Sequence, residues 1–348
     1  MRKPMRRTAG VLLLAAVAMA GCTSPQAPEP EVVTETPETE ADKDHAPEPA
    51  IEETWPLSGV PGEVEERPVM SVKVENSAAA RPQTGLHSAD IVYEEMIEGG
   101  QTRFLALFHS QVPEEIGPIR SLRPMDVPLA TPYGGQLIFS GAQRAFLDLA
   151  HSSSLQILTH DGGAAGFYRS PDRSAPHNVY GNTADFLAQA SEPAELEPVF
   201  TFTPEGEDPT AVTDGTSASS IQVNFPDTSP GWTWSEDEEV WQRTESGEPA
   251  MTTDEGQIGA ANVLVLRVQV QNTAFTDPSG SPVPETVVVG SGEAIIASGG
   301  HTITGTWTKD DDDDLLQVQT EDGEDVELTP GNTWIELLPV SGSSVSVD

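Results

Sequence analysis

ADIVYEEMIEGGQTRFLALFHS, residues 89–110, decides the fold. Ala89 to Ile97 and Thr102 to Ser110 are runs of β-branched, aromatic and aliphatic residues, and Glu98-Gly99-Gly100-Gln101 separates them. Such runs suit a pleated, half-buried surface, and a short glycine-containing break between two of them predicts a hairpin. Working outward, Val69 to Glu75 alternates enough for another strand, and Gln136 to Ser140 is a further short apolar run. Helices are expected around Pro124 to Ala130, Gln143 to Ala150 and Asn182 to Ala190, the last opened by an Asn/Thr cap before an apolar pattern. This half therefore reads as α+β.

The second half changes texture. After an acidic, Ser/Thr-rich stretch from about Glu192 to Ser219, short strand-like runs follow one another. They are Thr233 to Trp234 and Val240 to Arg243 around an acidic turn, Val263 to Gln271, Glu285 to Val289, His301 to Trp307, Leu315 to Thr320, Val326 to Leu328 and Thr333 to Leu338. A mainly-β C-terminal domain is predicted. Asp322-Gly323 reads as a type I′ hairpin turn. Trp232, Trp234 and Trp241, at alternating strand positions, read as core or hairpin supports rather than as a sugar-stacking platform.

The chain begins with Arg2, Lys3, Arg6 and Arg7, continues through apolar Val11 to Met19, and reaches Met19-Ala20-Gly21-Cys22, which has the form of a lipobox. The apolar run is shorter than the about 20 residues needed to span a bilayer. Cys22 is the single cysteine, so an internal disulfide is excluded, and acylation gives the thiol a role. The expected product is a lipoprotein held to the outer face of the cytoplasmic membrane by diacylglyceryl on Cys22. The predicted order is signal peptide 1–21, lipidated Cys22 and a disordered Pro/Glu/Thr-rich tether 22–55, an α+β domain 56–200, an acidic linker 201–220 and a β-rich domain 221–348. Loss of residues 1–21 removes four positive charges and no acid, which takes the formal net charge from −39 to −43. That charge disfavours nucleic acid as a partner.

The arginines cluster. Arg67, Arg81, Arg103, Arg120, Arg123, Arg144, Arg169 and Arg173 precede position 175, and only Arg243 and Arg267 follow it. On so acidic a chain, guanidinium groups are expected either to pair with carboxylates or to bind an anion.

Several motifs together resemble the YerB-like lipoproteins. They are Arg81-Pro82-Gln83-Thr84-Gly85-Leu86, Ala89-Asp90-Ile91-Val92-Tyr93-Glu94, Glu98-Gly99-Gly100 with Thr102-Arg103-Phe104, Ile116-Gly117-Pro118-Ile119-Arg120-Ser121 with Arg123, and Ala175-Pro176-His177-Asn178. Ala261-Asn262-Val263 and Thr329-Pro330-Gly331-Asn332-Thr333-Trp334-Ile335 resemble the C-terminal member of that family's domain pair. The resemblance spans about Pro68 to Val340 and omits the stretch between Thr203 and Ser220. It implies a lipid-anchored envelope protein with paired N-terminal and C-terminal domains of unknown function, and it implies no activity.

The chemistry of those motifs defines the candidate site. Asp90 and Glu94, four apart in an extended segment, are expected on one strand face and able to orient Arg103 on the next strand. The Gly117-Pro118 turn brings Arg120 and Arg123 near a ligand, and Arg173, His177 and Asn178 occupy a loop punctuated by Gly and Pro. The ligand-binding set is Arg81, Arg103, Arg120, Arg123, Arg173 and Asn178, with His177 as candidate base and Asp90 or Glu94 as its acidic partner. No metal or cofactor is called for. Three readings follow: a binding module for an anionic cell-wall component, a cell-wall hydrolase or transferase using His177, and a scaffold recruiting an envelope protein. A shared site requires Arg103, Arg120, Arg123 and His177 to converge on one cleft.

Overall fold

The 89–110 stretch folds as its pattern dictates in the computed structural model, which describes residues 53–191 and 196–348. After β1 (Met70–Glu75), β2 (Ile91–Met96) and β3 (Thr102–Phe108) pair antiparallel, with Glu94 opposite Phe104 and Glu95 opposite Arg103. The chain turns between them with Gly99 at φ 72° and Gly100 at φ 78°, a left-handed conformation that carries no Cβ penalty for glycine. The short helix α1 (Asp126–Ala130), β4 (Gln136–Phe139), α2 (Arg144–Ser152), β5 (Gln156–Thr159) and α3 (Thr183–Leu187) follow. In α2 the buried residues are Phe146 and Ala150, four apart and so on one helix face. Asn182 caps α3, its Oδ1 accepting from the Asp185 amide at 3.1 Å.

The second half is rich in strands, among them β6 (Ser220–Asn224), β7 (Pro230–Ser235), β8 (Val240–Glu245), β9 (Asn262–Thr276), β10 (Gly290–Ser298), β11 (His301–Lys309), β12 (Thr333–Pro339) and β13 (Ser344–Val347). Some of them form a sheet of their own, and the others join strands of the first half. The principal sheet, of 12 strands, includes the run β11-β10-β9-β12-β2-β3-β1-β4-β5 and so crosses both halves. β12 lies parallel to β9 on one side and to β2 on the other, with Glu336 level with Glu94. Parallel partners are joined by long crossovers rather than turns, so no local signal announces this pairing. A smaller sheet, β8-β7-β6-β13, packs over one face.

The apolar side chains divide by strand alternation. Ile91, Tyr93, Leu105 and Leu107 face α1 and α2, whereas Val92, Phe104, Ala106 and Phe108 face the smaller sheet. Trp232, Trp241 and Trp334 are buried on that second face, and the rings of Trp232 and Trp334 meet at 5.3 Å. The tryptophans of β7 and β8 are thus core supports, with Trp234 against Trp241 at 5.4 Å.

Several expectations change. Asp322-Gly323 is not a two-residue type I′ turn, because that turn needs positive φ at both positions and only Gly323 has it, at 84°. The loop is longer, Thr320 N donating to Glu324 O at 2.9 Å. The strand beyond it, Glu327–Leu328, pairs in parallel with Thr201–Phe202. The 201–220 segment, read as a linker, therefore contributes a strand, and it also holds the helix Thr210–Asp214 and a strand pairing with β11. Trp55, placed at the end of the tether, is buried with its ring 5.1 Å from that of His109. The stretches expected to form the signal peptide, with Cys22, and the tether up to residue 52 lie outside the described residues.

The shared sheet has a testable consequence. A chain ending at residue 200 loses β12 and with it buried Trp334, Ile335, Leu337 and Leu338. At about 1.5–3 kcal/mol each, that is roughly 6–12 kcal/mol, comparable with the whole stability of a typical domain, about 5–15 kcal/mol. Such a chain is expected to lack a cooperative urea transition and to be degraded rapidly by trypsin. A sharp transition would show that the N-terminal half folds by itself.

Candidate anion-binding site

Alternation along β2 sends adjacent acids to opposite faces, and each meets a buried cation. Glu94 points to the smaller sheet, where it accepts from Thr102 Oγ1 at 2.5 Å and from Arg243 Nη2 at 2.6 Å. Arg243 also donates to Glu336 at 2.9 Å and to Glu245 at 3.1 Å, and is 1% exposed. Phe104, Trp232 and Trp334 surround its guanidinium, with ring centroids 4.9–5.4 Å away. Burial pushes the Glu94 carboxyl up to about 8, against the pull of Arg243, and the Glu336 carboxylate alongside pushes the same way. Glu95 points to the opposite face, where Lys73 bonds it and Asp126, the latter at 2.7 Å. Burial and the Asp126 charge likewise push Glu95 up to about 8.

This geometry corrects the expected pairing of Asp90 and Glu94 with Arg103. Arg103 stands opposite Glu95, so the pleat sends it away from Glu94, and Arg243 of the second half takes its place. Asp90 lies just before β2 and caps the end of β3, accepting from the amides of His109 and Ser110 at 2.6 and 2.9 Å.

The loops of the first half meet at the C-terminal end of β1. Beyond Val72 the parallel pairing of β1 with β4 stops, and residues 117–120 take its place along β1, Val74 bridging to Ile119 and Arg120 N donating to Lys73 O at 2.8 Å. Divergence of neighbouring strands at their carboxyl ends is where open α/β sheets form crevices. Arg81-Pro82, Gly117-Pro118 and Ala175-Pro176 are cis, one in each of the three converging loops. Gly117 is required there by packing: a Cβ would lie 2.6 Å from the Tyr180 ring.

Glu75 joins these loops. Its Oε1 is 2.8 Å from His177 Nδ1 and accepts from Ser77 Oγ at 2.9 Å, and its Oε2 lies 3.3 Å from Arg120 Nε. Glu75 is thus the carboxylate against His177, the position expected for Asp90 or Glu94. Arg103 and Arg123 share the Ser121 carbonyl, at 2.9 and 3.5 Å, and Arg123 pairs with Glu98 at 2.7 Å. Burial, then the Arg123 and Arg120 charges, push Arg103 down to about 9. The Nε atoms of Arg103, Arg120 and Arg123 are buried and make no hydrogen bond among the described residues.

His177 opens onto a cleft of about 800 Å³, lined also by Arg81, Arg173, Tyr168, Tyr180 and Thr253. Arg103, Arg120 and Arg123 do not line it, so the four residues do not converge on one cleft as expected: Glu75 links His177 to Arg120, and the Ser121 carbonyl links Arg103 to Arg123. Arg173 donates to the carbonyls of Ala79, Arg81 and Pro82, the first at 2.9 Å, and so fastens its loop. Asn178 is buried and accepts from Arg169 at 2.7 Å, an internal brace rather than a ligand contact. Reading by sequence missed Lys73, Glu75, Glu95, Asp126, Arg243, Glu245 and Glu336. A signal existed for two of them: Arg243 and Lys73 are scarce cations at inward positions of alternating strands.

Known proteins share this architecture. The Bacillus subtilis protein named "Putative lipoprotein YerB" is 28% identical over 323 residues, covering 87% of this chain and 92% of that protein. The crystal structure of the YerB protein from Bacillus subtilis superposes with a TM-score of 0.71 at 24% identity, covering 84% of this chain and 99% of that one. Residues 57–195 match the N-terminal domain, and residues 221–335 the C-terminal domain, of the proteins of unknown function described as DUF3048, and the chain belongs to that family.

Proposed function

We propose that this chain is an envelope lipoprotein, anchored through diacylglyceryl on Cys22 to the outer face of the cytoplasmic membrane, whose Arg103, Arg120 and Arg123 bind an anionic cell-wall component beside the His177 cleft. The observation that supports the reading is the set of buried guanidinium Nε groups without hydrogen-bond partners. A buried donor left unpaired costs about 1–3 kcal/mol, which a phosphate or carboxylate oxygen would recover. Three guanidiniums face Glu75 and Glu98, so one positive charge is in excess. Guanidinium forks match such oxyanions in geometry.

A retention assay tests this. The chain from residue 23 onward, incubated with purified cell-wall sacculi, is expected to sediment with them. Arg120→Ala and Arg123→Ala are each expected to weaken retention about tenfold to a hundredfold, the equivalent of one charge-assisted hydrogen bond of about 1.5–3 kcal/mol. Retention unchanged in both variants would refute the anion site. The Glu75–His177 contact favours one second reading, a hydrolase or transferase with His177 as base. Mass spectrometry of the supernatant decides it: fragments that vanish with His177→Ala would establish turnover. Neither retention of the parent chain nor released fragments would point instead to a scaffold that recruits an envelope protein.

A further inference from the structure

A second cavity, of about 350 Å³, lies where the two family domains meet, and its chemistry differs from that of the arginine patch. Phe104, Met251 and Ile258 supply apolar wall, and Arg81, Glu245 and Glu248 supply charge together with Arg243, whose guanidinium is already engaged by Glu94, Glu245 and Glu336. The segment carrying Met251 is held against the first half: Thr253 N donates to Gln83 O at 2.8 Å and the hydroxyls of Thr84 and Thr253 meet at 2.7 Å.

Both charged groups at its centre have unused capacity. The Glu245 side chain is 5% exposed, and its Oε2 accepts from Arg243 at 3.1 Å. Its Oε1 has no hydrogen-bond partner among the described residues, with Arg81 Nη2 at 3.4 Å making none. Arg81 donates from Nε and Nη2 to Asn76, at 3.2 and 2.8 Å, and no bond from Nη1 is formed among the described residues. A buried carboxylate oxygen without a donor is unfavourable, so an occupant of this cavity is expected to bring a cation to Glu245. The neighbouring guanidinium adds the demand for an anion a few Å away. The volume falls at the small end of ligand pockets, about 300–1,000 Å³.

We infer that this cavity binds a free α-amino acid with an apolar side chain. Its ammonium sits on Glu245 Oε1, its carboxylate on Arg81, and its side chain against Phe104 and Met251. A free α-amino acid carries both charges on one carbon, whereas a peptide terminus offers one of them. Arg81 also lines the His177 cleft, but the two readings are separated by their tests, because the sacculus assay varies Arg120 and Arg123, which do not line this cavity.

Isothermal titration of the full chain in detergent micelles tests the inference with norleucine, norleucine amide and N-acetylnorleucine. Saturable binding of norleucine is expected, with each derivative at least about tenfold weaker because one charge is lost. Equal binding of all three, or no saturable binding of norleucine, would overturn it. Glu245→Gln is expected to abolish binding, but Glu245 also contacts Arg243, so the exposed Glu248→Lys variant carries the test if Glu245→Gln fails to fold. A lysine there places a like charge beside the ammonium and is expected to weaken norleucine at least about tenfold. An E248K chain that binds norleucine as tightly as the parent would also overturn the inference.

Discussion

Replacing Arg243 with methionine is expected to be among the most damaging single changes in this chain, costing about 3–5 kcal/mol of stability at pH 8. Arg243 donates to Glu94, Glu245 and Glu336, and all four side chains are almost wholly buried. Without the guanidinium, three carboxyl groups face one another in a site walled by Phe104, Trp232 and Trp334. Desolvated like charges cannot all ionise at such separations, so protons must be taken up or the cluster must open. The loss should therefore shrink on acidification. It should also be largely recovered in the combined variant Arg243→Met, Glu94→Gln, Glu336→Gln, since removing a buried ion cluster as a unit is often neutral where breaking it is not. Urea titrations of the parent, single and triple variants at pH 8 and pH 5 measure all three effects. A single variant within about 1 kcal/mol of the parent at pH 8 would show that the cluster contributes only as a surface pair does.

Acidification from pH 8 towards pH 5 is expected to stabilise the parent chain, the second large effect. Burial, opposed by Arg243 and by Lys73 respectively, holds the Glu94 and Glu95 carboxyls up near pH 8, against 4.5 ordinarily. Between about 4.5 and about 8 the folded chain keeps protons that the unfolded chain has lost. Unfolding then releases protons, and stability falls as pH rises, with a slope of at most about 1.4 kcal/mol per pH unit for each group. Below about 4.5 both states are protonated at these positions and their contribution levels off. The urea midpoint should accordingly climb between pH 8 and pH 5, and Glu94→Gln and Glu95→Gln should each flatten that climb. A midpoint that rises with pH over this window, or a slope unaltered by both variants, would contradict the assignment.

Much of the local architecture was legible in the sequence. The runs at 89–97 and 102–110 became β2 and β3, the glycines between them turned the chain, and the Asn182 cap opened α3 where its side chain predicted. These features rest on interactions among residues close in sequence. The lone left-handed Gly323 illustrates the limit: Asp-Gly reads as a tight hairpin, but pairing of Glu327–Leu328 with Thr201–Phe202 draws the following strand elsewhere. The candidate site was half legible. His177 and Arg120 connect through Glu75, whose place at the end of β1 carried no mark distinguishing it from the chain's many other acids, while Arg103 and Arg123 meet at the Ser121 carbonyl instead.

Alternation along β2 by itself determined that Glu94 and Glu95 leave on opposite faces, because the side-chain period of a strand is fixed by backbone geometry. The strand-like runs beyond residue 220 likewise determined that the second half is built of strands, and the acidity of the chain set the expectation that its arginines find partners. Which partners they have was decided only in three dimensions. β12 reaches β2 across some 240 residues of chain and in parallel, without a turn to mark the register. That placement brings Glu336 level with Glu94 and puts Arg243 between them, so one sheet and one buried charge cluster join the two halves. Register between distant strands is selected by the burial of whole faces and by the cost of leaving a buried charge unpaired, and both depend on every strand at once.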